Sequence, residues 1–184
     1  MSKGKLLVIS GPSGVGKGTI VKELLKRRPS ASLSVSCTTR QPREGEEEGK
    51  SYFFITREQF EKMIAEHGFL EYSEHFTNYY GTPKDFVDKK LKEGDVILEI
   101  EVDGALTVKS KMPEAVLIMV APPDRETLYK RLKGRGTESE KTIALRLDRA
   151  DYELGKSNVY DYLIVNDKLS VAVESIISIM EKEN

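Results

Sequence analysis

KLLVISGPSGVGKGT, residues 5–19, sets an apolar run, a glycine-rich turn and the start of a helix end to end. Gly11, Gly16 and Lys17 match the pattern G-x-x-x-x-G-K-[ST]. Glycines at these places let the backbone curl until successive N–H groups point into one concavity. The helix that follows adds the positive end of its dipole, and Lys17 adds a point charge for terminal phosphates. A strand before and a helix after make the pattern a phosphate cradle rather than a glycine-rich turn with a stray lysine. One residue departs from it. Gly18 stands where most such loops carry a hydroxyl for a magnesium ion, and Thr19 comes one place later. Either Thr19 substitutes, or phosphates, water and distant carboxylates hold the metal. The second is preferred, because Mg²⁺ keeps several waters readily.

Outward from the loop, further apolar runs occur at residues 96–102 (VILEIEV), 115–121 (AVLIMVA) and 162–165 (YLIV). Continuous runs of this length suit strands covered on both faces. Helical spacing marks residues 18–28, 124–133, 138–156 and 170–182. Strands alternating with helices predict an α/β fold, a P-loop doubly wound parallel sheet. Two segments break the rhythm. Residues 33–93 begin as polar, short-strand material and read as an inserted lobe. In it, Thr56-Arg57-Glu58-Gln59 has the form of a capping box, and Thr82-Pro83 starts a helix with Thr82 as N-cap. Residues 131–156, containing Gly134-Arg135-Gly136, read as a helical, arginine-rich lid. The core of a single domain, 1–184, is then about 1–32, 94–130 and 157–184.

Composition sets the limits. The 184 residues are 39% hydrophobic and 32% charged, with a net charge of −1. There is no global basic field for non-specific nucleic-acid binding, so an anion site must be built locally. A single cysteine, Cys37, allows no intrachain disulfide, which suits a reducing compartment. The N-terminal apolar run is too short for a signal-peptide core, and no stretch approaches the roughly 20 apolar residues of a membrane span. A cytoplasmic location, with no membrane partner, is the expectation.

The inserted lobe carries Ser36-Cys37-Thr38-Thr39-Arg40-Gln41-Pro42-Arg43-Glu44-Gly45-Glu46. Pro42 stiffens the turn between two arginines, and two guanidinium forks in a polar loop make a phosphate clamp. Tyr52 and Tyr80 could add hydroxyls. Arg40 and Arg43 could instead pair with the acidic run 46–48, and composition leaves both readings open. Other features stay bland. Cys37 reads as a small, partly buried side chain, Tyr79 as packing, and His67 and His75 lack metal-ligand spacing. Asn166-Asp167-Lys168 has the wrong order for the N-K-x-D motif of a switch GTPase.

At this point a family resemblance becomes close. It rests on S-x-S-x-T-T-R-x-P-R-x-G-E from Ser34, G-K-x-Y-x-F from Gly49, F-L-E-Y from Phe69 and N-Y-Y-G-T from Asn78. L-E-I-E-V-x-G from Leu98, A-P-P from Ala121, G-R-G-T-E from Gly134 and Y-D-Y-L-I-V-N-D from Tyr160 continue it. In this order and spacing, the chain resembles the guanylate kinases of bacterial type over essentially its whole length. The resemblance implies transfer of the γ-phosphoryl group of ATP to GMP, and also to dGMP, with Mg²⁺ as cofactor, in purine nucleotide metabolism. It implies small-molecule partners only, GMP and ATP, and leaves a homo-oligomer open. The lobe would be the nucleoside-monophosphate-binding lobe.

Site roles follow from the same resemblance. Lys17, Arg40, Arg135 and Arg146 would be catalytic. ATP would lie on Gly11, Pro12, Ser13, Gly14, Val15, Gly16, Lys17, Gly18 and Thr19, with Arg131, Arg135 and, near adenine, Asn166; Arg149 would join the lid side. GMP would be held by Ser36, Arg40, Arg43, Tyr52 and Tyr80 at its phosphate and by Glu71 and Thr82 at its base. Glu99 and Glu101 would organise metal and acceptor. Asp103 stands where many members have glutamine. The chemistry agrees: guanine N1–H and N2–H₂ are donors that one carboxylate can accept together, and adenine offers no such pair. A family-related module that grips phosphorylated peptides is the rival from another class. Such modules lose the triphosphate machinery, whereas Gly16, Lys17 and residues 134–137 retain it here.

Overall fold

A computed structural model describes residues 4–75, 77–134 and 139–183. Chain order begins β1 (Leu6–Ser10), α1 (Lys17–Arg27), β2 (Ser32–Leu33), β3 (Cys37–Thr38), β4 (Phe53–Phe54) and α2 (Arg57–Ala65). It continues β5 (Phe69–His75), β6 (Asn78–Pro83), α3 (Lys84–Lys90), β7 (Val96–Glu99) and α4 (Val102–Lys111). It ends β8 (Val116–Ala121), α5 (Arg125–Lys133), α6 (Glu140–Leu154), β9 (Tyr162–Val165) and α7 (Leu169–Glu183).

Five strands form one sheet in the order β2-β7-β1-β8-β9, every pair parallel. The chain leaves β1 toward one edge and later returns to fill the other side, so the order reverses at β1. Ligands of open parallel sheets bind beyond the carboxyl ends of the strands at such a reversal, and the glycine-rich loop leaves β1 there. Alternate residues of β1 feed opposite faces. Leu7 and Ile9 pack with Ile20 and Leu24 of α1 and with Val173 and Ile176 of α7. Leu6 and Val8 pack with Val87 and Leu91 by α3 and with Ala105 and Val108 of α4.

A second sheet, β4-β3-β6-β5, lies within the inserted segment and is mostly antiparallel. Its own small core holds Cys37, Phe60 and Phe69, with Met63, Ile64 and Tyr79 against them. Helix α2 begins with the capping box read in the sequence. Thr56 accepts from the Gln59 N–H, and the Gln59 side chain accepts from the Thr56 N–H. A bulge between Phe69 and Glu71 breaks the register of β5 with β6. It sorts three successive residues: Phe69 enters the small core, Leu70 the main core, and Glu71 pairs across from Thr82.

Four details differ from the sequence reading. The strand expected over 96–102 ends at Glu99, and Val102 already opens α4, a helix the sequence reading lacked. Thr82 is not an N-cap. It lies in β6, Pro83 takes the cap position, and the Thr82 hydroxyl donates to Glu71. Helix α3, assigned to the inserted lobe, buries Val87 in the main core. Helix α6 begins at Glu140, capped by Ser139, and Arg135 to Glu138 lie outside the described residues.

Phe60 is fully buried and stacks on Phe69 at 4.3 Å and on Tyr79 at 5.0 Å. Phe60→Ala is expected to cost about 3–5 kcal/mol, the usual range for a large buried ring. Native-state hydrogen exchange should then speed up in β5 and β6 while β1 and β8 hold their protection. Equal acceleration in both sheets would show that the two cores open as one unit.

Candidate active site

The loop after β1 turns through Gly11 at φ 143°, where an added Cβ would fall 2.2 Å from the Val120 carbonyl oxygen. No L side chain fits that approach. Gly16, at φ 94°, caps α1. Lys17 arches back over the loop, its Nζ donating to the carbonyls of Gly11 at 2.5 Å and Pro12 at 3.1 Å. The far side of the loop is braced. Val15 is buried, and its carbonyl accepts from Asn166 Nδ2 at 2.7 Å and Arg131 Nη1 at 3.4 Å. Arg131 Nη2 also donates to the Asn166 carbonyl at 2.9 Å. These bonds of Arg131 and Asn166 hold the loop in place. Arg146 Nη1 donates to Ser13 Oγ at 2.9 Å, bringing α6 down onto the loop.

Thr19 is exposed on α1. The Glu99 carboxylate lies beside Gly18, with Oε1 3.6 Å from where a Cβ on residue 18 would stand. Burial pushes the Glu99 carboxyl up, and Lys17 opposes the shift. Among the described residues no group of three or more His, Cys, Asp or Glu could hold a metal alone. One carboxylate beside a phosphate loop fits a magnesium ion that brings phosphate and water ligands with it.

Two cavities flank the carboxyl end of β7. One, about 340 Å³, is lined by Gly11, Ser13, Lys17 and Arg146. The other, about 470 Å³, is lined by Ser36, Tyr52, Glu71 and Tyr80. Glu99, Ile100, Glu101 and Arg149 line both. The pairing left open for Arg40 is present: its guanidinium meets the Glu46 carboxylate through two hydrogen bonds, at 2.9 and 3.0 Å. Arg40 Nε also donates to the Tyr80 hydroxyl at 3.3 Å, and its guanidinium lies 5.5 Å from the Tyr52 ring centre. Arg43 is exposed, and its backbone N–H donates to Glu46. Arg135 lies outside the described residues.

Glu71 is only 8% exposed. Thr82 donates to its Oε1 at 2.5 Å, and a Cβ on Gly104 would come within 3.0 Å of its Oε2. A side chain at residue 104 would press on the Glu71 carboxylate. Burial raises the Glu71 carboxyl above its ordinary value, and the bonds from Thr82 oppose this.

Comparison with known proteins falls on the same side. Residues 3–183 match the profile of the guanylate kinase family. The chain belongs to that family. The guanylate kinase of Caldanaerobacter subterraneus subsp. tengcongensis is 52% identical over 182 residues, covering 98% of this chain and 88% of that protein. That of Lactococcus lactis subsp. lactis is 50% identical over 183 residues, covering 99% and 89%. The crystal structure of guanylate kinase from Anaplasma phagocytophilum aligns with a TM-score of 0.77 at 33% identity, over 99% of this chain and 87% of that one. The two cavities share one wall. One wall feature, Gly104, was absent from the sequence reading. Gly104 owes its place to α4, which apolar periodicity did not reveal.

Because the folded pKa of Glu71 is raised, the folded chain holds that proton to higher pH than the unfolded chain does. Its contribution to stability is fully present below the unfolded pKa and is lost as pH rises through the folded one. Glu71→Gln keeps an acceptor for Thr82 and removes the buried charge. At pH 7 the variant is expected to melt above the parent, and the gap should close as pH falls to about 4. Thermal melts at the two pH values read this out, and a variant that melts below the parent at pH 7 would contradict the burial argument.

Proposed function

We infer that this chain transfers the γ-phosphoryl group of ATP to GMP, giving ADP and GDP, in purine nucleotide metabolism. The observation that carries the reading is a buried carboxylate, Glu71, in one cavity and the glycine-rich loop with Lys17 in the next, across a shared wall. Guanine N1–H and N2–H₂ would both donate to Glu71, with the Thr82 hydroxyl holding the carboxylate in place. Adenine lacks that adjacent pair of donors. Ser36, Arg40, Arg43, Tyr52 and Tyr80 would take the GMP phosphate, and Arg40 would loosen its grip on Glu46 to do so. The loop N–H groups and Lys17 would hold the β- and γ-phosphates of ATP, with Arg146 and Arg135 closing from the other side. Arg131 and Asn166 would act through the loop they brace.

Transfer between two phosphates asks the protein for alignment and positive charge, since the acceptor oxygen is already anionic near neutral pH. The magnesium ion that travels with ATP would neutralise charge on its phosphate oxygens, with Glu99 and Glu101 toward its water shell. The inserted lobe and the segment 131–156 would swing inward when both nucleotides are bound, which keeps water from the transferring group. Acceptance of dGMP and a cytoplasmic location complete the reading. No helix among the described residues is long and apolar enough to cross a membrane.

Two substitutions test it. Lys17→Ala is expected to lower kcat by about 100-fold or more, the scale of losing one preorganised charge. Turnover within threefold of the parent would overturn the reading. Glu71→Gln turns an amide donor toward the guanine donors, a mismatch of about 1–3 kcal/mol when buried. GMP kcat/KM should drop about ten- to hundredfold, whereas the already poor use of AMP should fall little. Arg43→Ala, which touches only the phosphate, should weaken both acceptors together. An equal loss for both acceptors in Glu71→Gln would remove guanine as the selected base.

A further inference from the structure

Arg149 is the cation that the two cavities share among the described residues. It projects from α6, half-exposed, on a side chain long enough to sample many rotamers. Two carboxylates fix it from different elements. Glu153, one turn on along α6 and only 6% exposed, accepts from its Nε at 2.8 Å. Asp103, in the first turn of α4, accepts from its Nη2 at 2.9 Å. The other Asp103 oxygen accepts from Lys156 Nζ at 2.6 Å, just beyond the end of α6. The Tyr152 ring lies beneath both cations, 5.1 Å from the Arg149 guanidinium and 4.3 Å from the Lys156 ammonium. The two cations also hold the Asp103 carboxyl below the ordinary carboxylate range.

We propose that Asp103 is a positioning residue for phosphoryl transfer: it holds Arg149 of α6 at the junction of the two nucleotide cavities. The junction is otherwise walled by the carboxylates Glu99 and Glu101. Two phosphate groups approaching that wall meet like charge from the protein and from each other. A guanidinium fixed there offsets both repulsions, and one that wanders offsets neither. Stability is a poor explanation for the pair, because ion pairs this exposed contribute about 0–1 kcal/mol. The two acids and two bases of the cluster balance in charge. Removing the Asp103 charge therefore leaves the cluster one unit more positive, so its attraction for a phosphate is not weakened while Arg149 loses its place. Binding and turnover should separate.

This rests on the transfer reaction inferred above, and the parent's turnover in the same assay reports on that reading independently. The variants are Asp103→Asn, Asp103→Glu, Arg149→Met and the Asp103→Asn/Arg149→Met pair, assayed for kcat and for KM of GMP, with thermal melts. Asp103→Asn is expected to lose about tenfold in kcat, a modest share of what misplacement of a reacting group can cost, with KM for GMP not raised. Asp103→Glu, which keeps the charge, should recover part of the loss. In the Arg149→Met background, Asp103→Asn should change kcat by less than about twofold, because the proposed route of action through Arg149 is gone. Asp103→Asn within twofold of the parent in kcat would overturn the proposal. So would losses that multiply in the double variant, or a fall in kcat that follows a fall in melting temperature.

Discussion

Gly11 lies so close to the Val120 carbonyl that a methyl group cannot be placed between them. That contact ties the exit of β1 to β8 and forces the chain to curl at the end of the central strand. The rest of the site is referred to this turn. Lys17 reaches back to the Gly11 and Pro12 carbonyls, so its charge is fixed relative to the curl and not to the surface of α1. Asn166, arriving on β9 from the far side of the sheet, and Arg131, arriving on α5, both meet the carbonyl of Val15. Three elements distant in sequence thus hold a loop that would otherwise be soft because of its glycines. Ser13 on the same loop receives Arg146, so the position of α6 is also read from the turn.

The cavity around Glu71 is organised by a different irregularity. In a regular strand, neighbouring residues alternate between two faces. The bulge at Phe69 and Glu71 lets Phe69, Leu70 and Glu71 serve the small core, the main core and the cavity in turn. Phe69 and Leu70 anchor the strand on both sides of the seam between the two sheets. Glu71 is thereby carried into a place where its charge is disfavoured and where the loss of hydration is only partly offset by Thr82. A group held at such a cost is ready to gain from a ligand that brings donors. This is the sense in which a destabilising residue can serve selection.

Much of this was legible along the chain, and the failures have physical reasons. The run at 115–121 became β8, buried throughout, because continuous apolar stretches have few alternatives in a sheet covered on both faces, and the run at 162–165 became the edge strand β9, which leaves Leu163 and Val165 exposed. Thr56 and Gln59 formed their reciprocal cap because capping is local chemistry. Helix α4 escaped notice. Its sequence VDGALTVKSK mixes glycine with β-branched residues, and only tertiary packing of Val102, Ala105 and Val108 makes it helical. Thr82-Pro83 has the local form of a helix start, but the Thr82 hydroxyl meets Glu71 across the sheet, which no local pattern contains. The bracing by Arg131 and Asn166, and the meeting of Asp103 with Arg149, are likewise long-range. They follow from the strand order and cannot be read from spacing.

The most direct test is ADP release from ATP and Mg²⁺ by the purified protein, with GMP, AMP, CMP and UMP offered separately at equal concentration. GMP is expected to exceed each of the others by about 100-fold or more, as a site that reads donors with a buried carboxylate should. Comparable turnover with AMP or a pyrimidine nucleotide, or ADP release that ignores the acceptor, would contradict transfer to guanine nucleotide at this site.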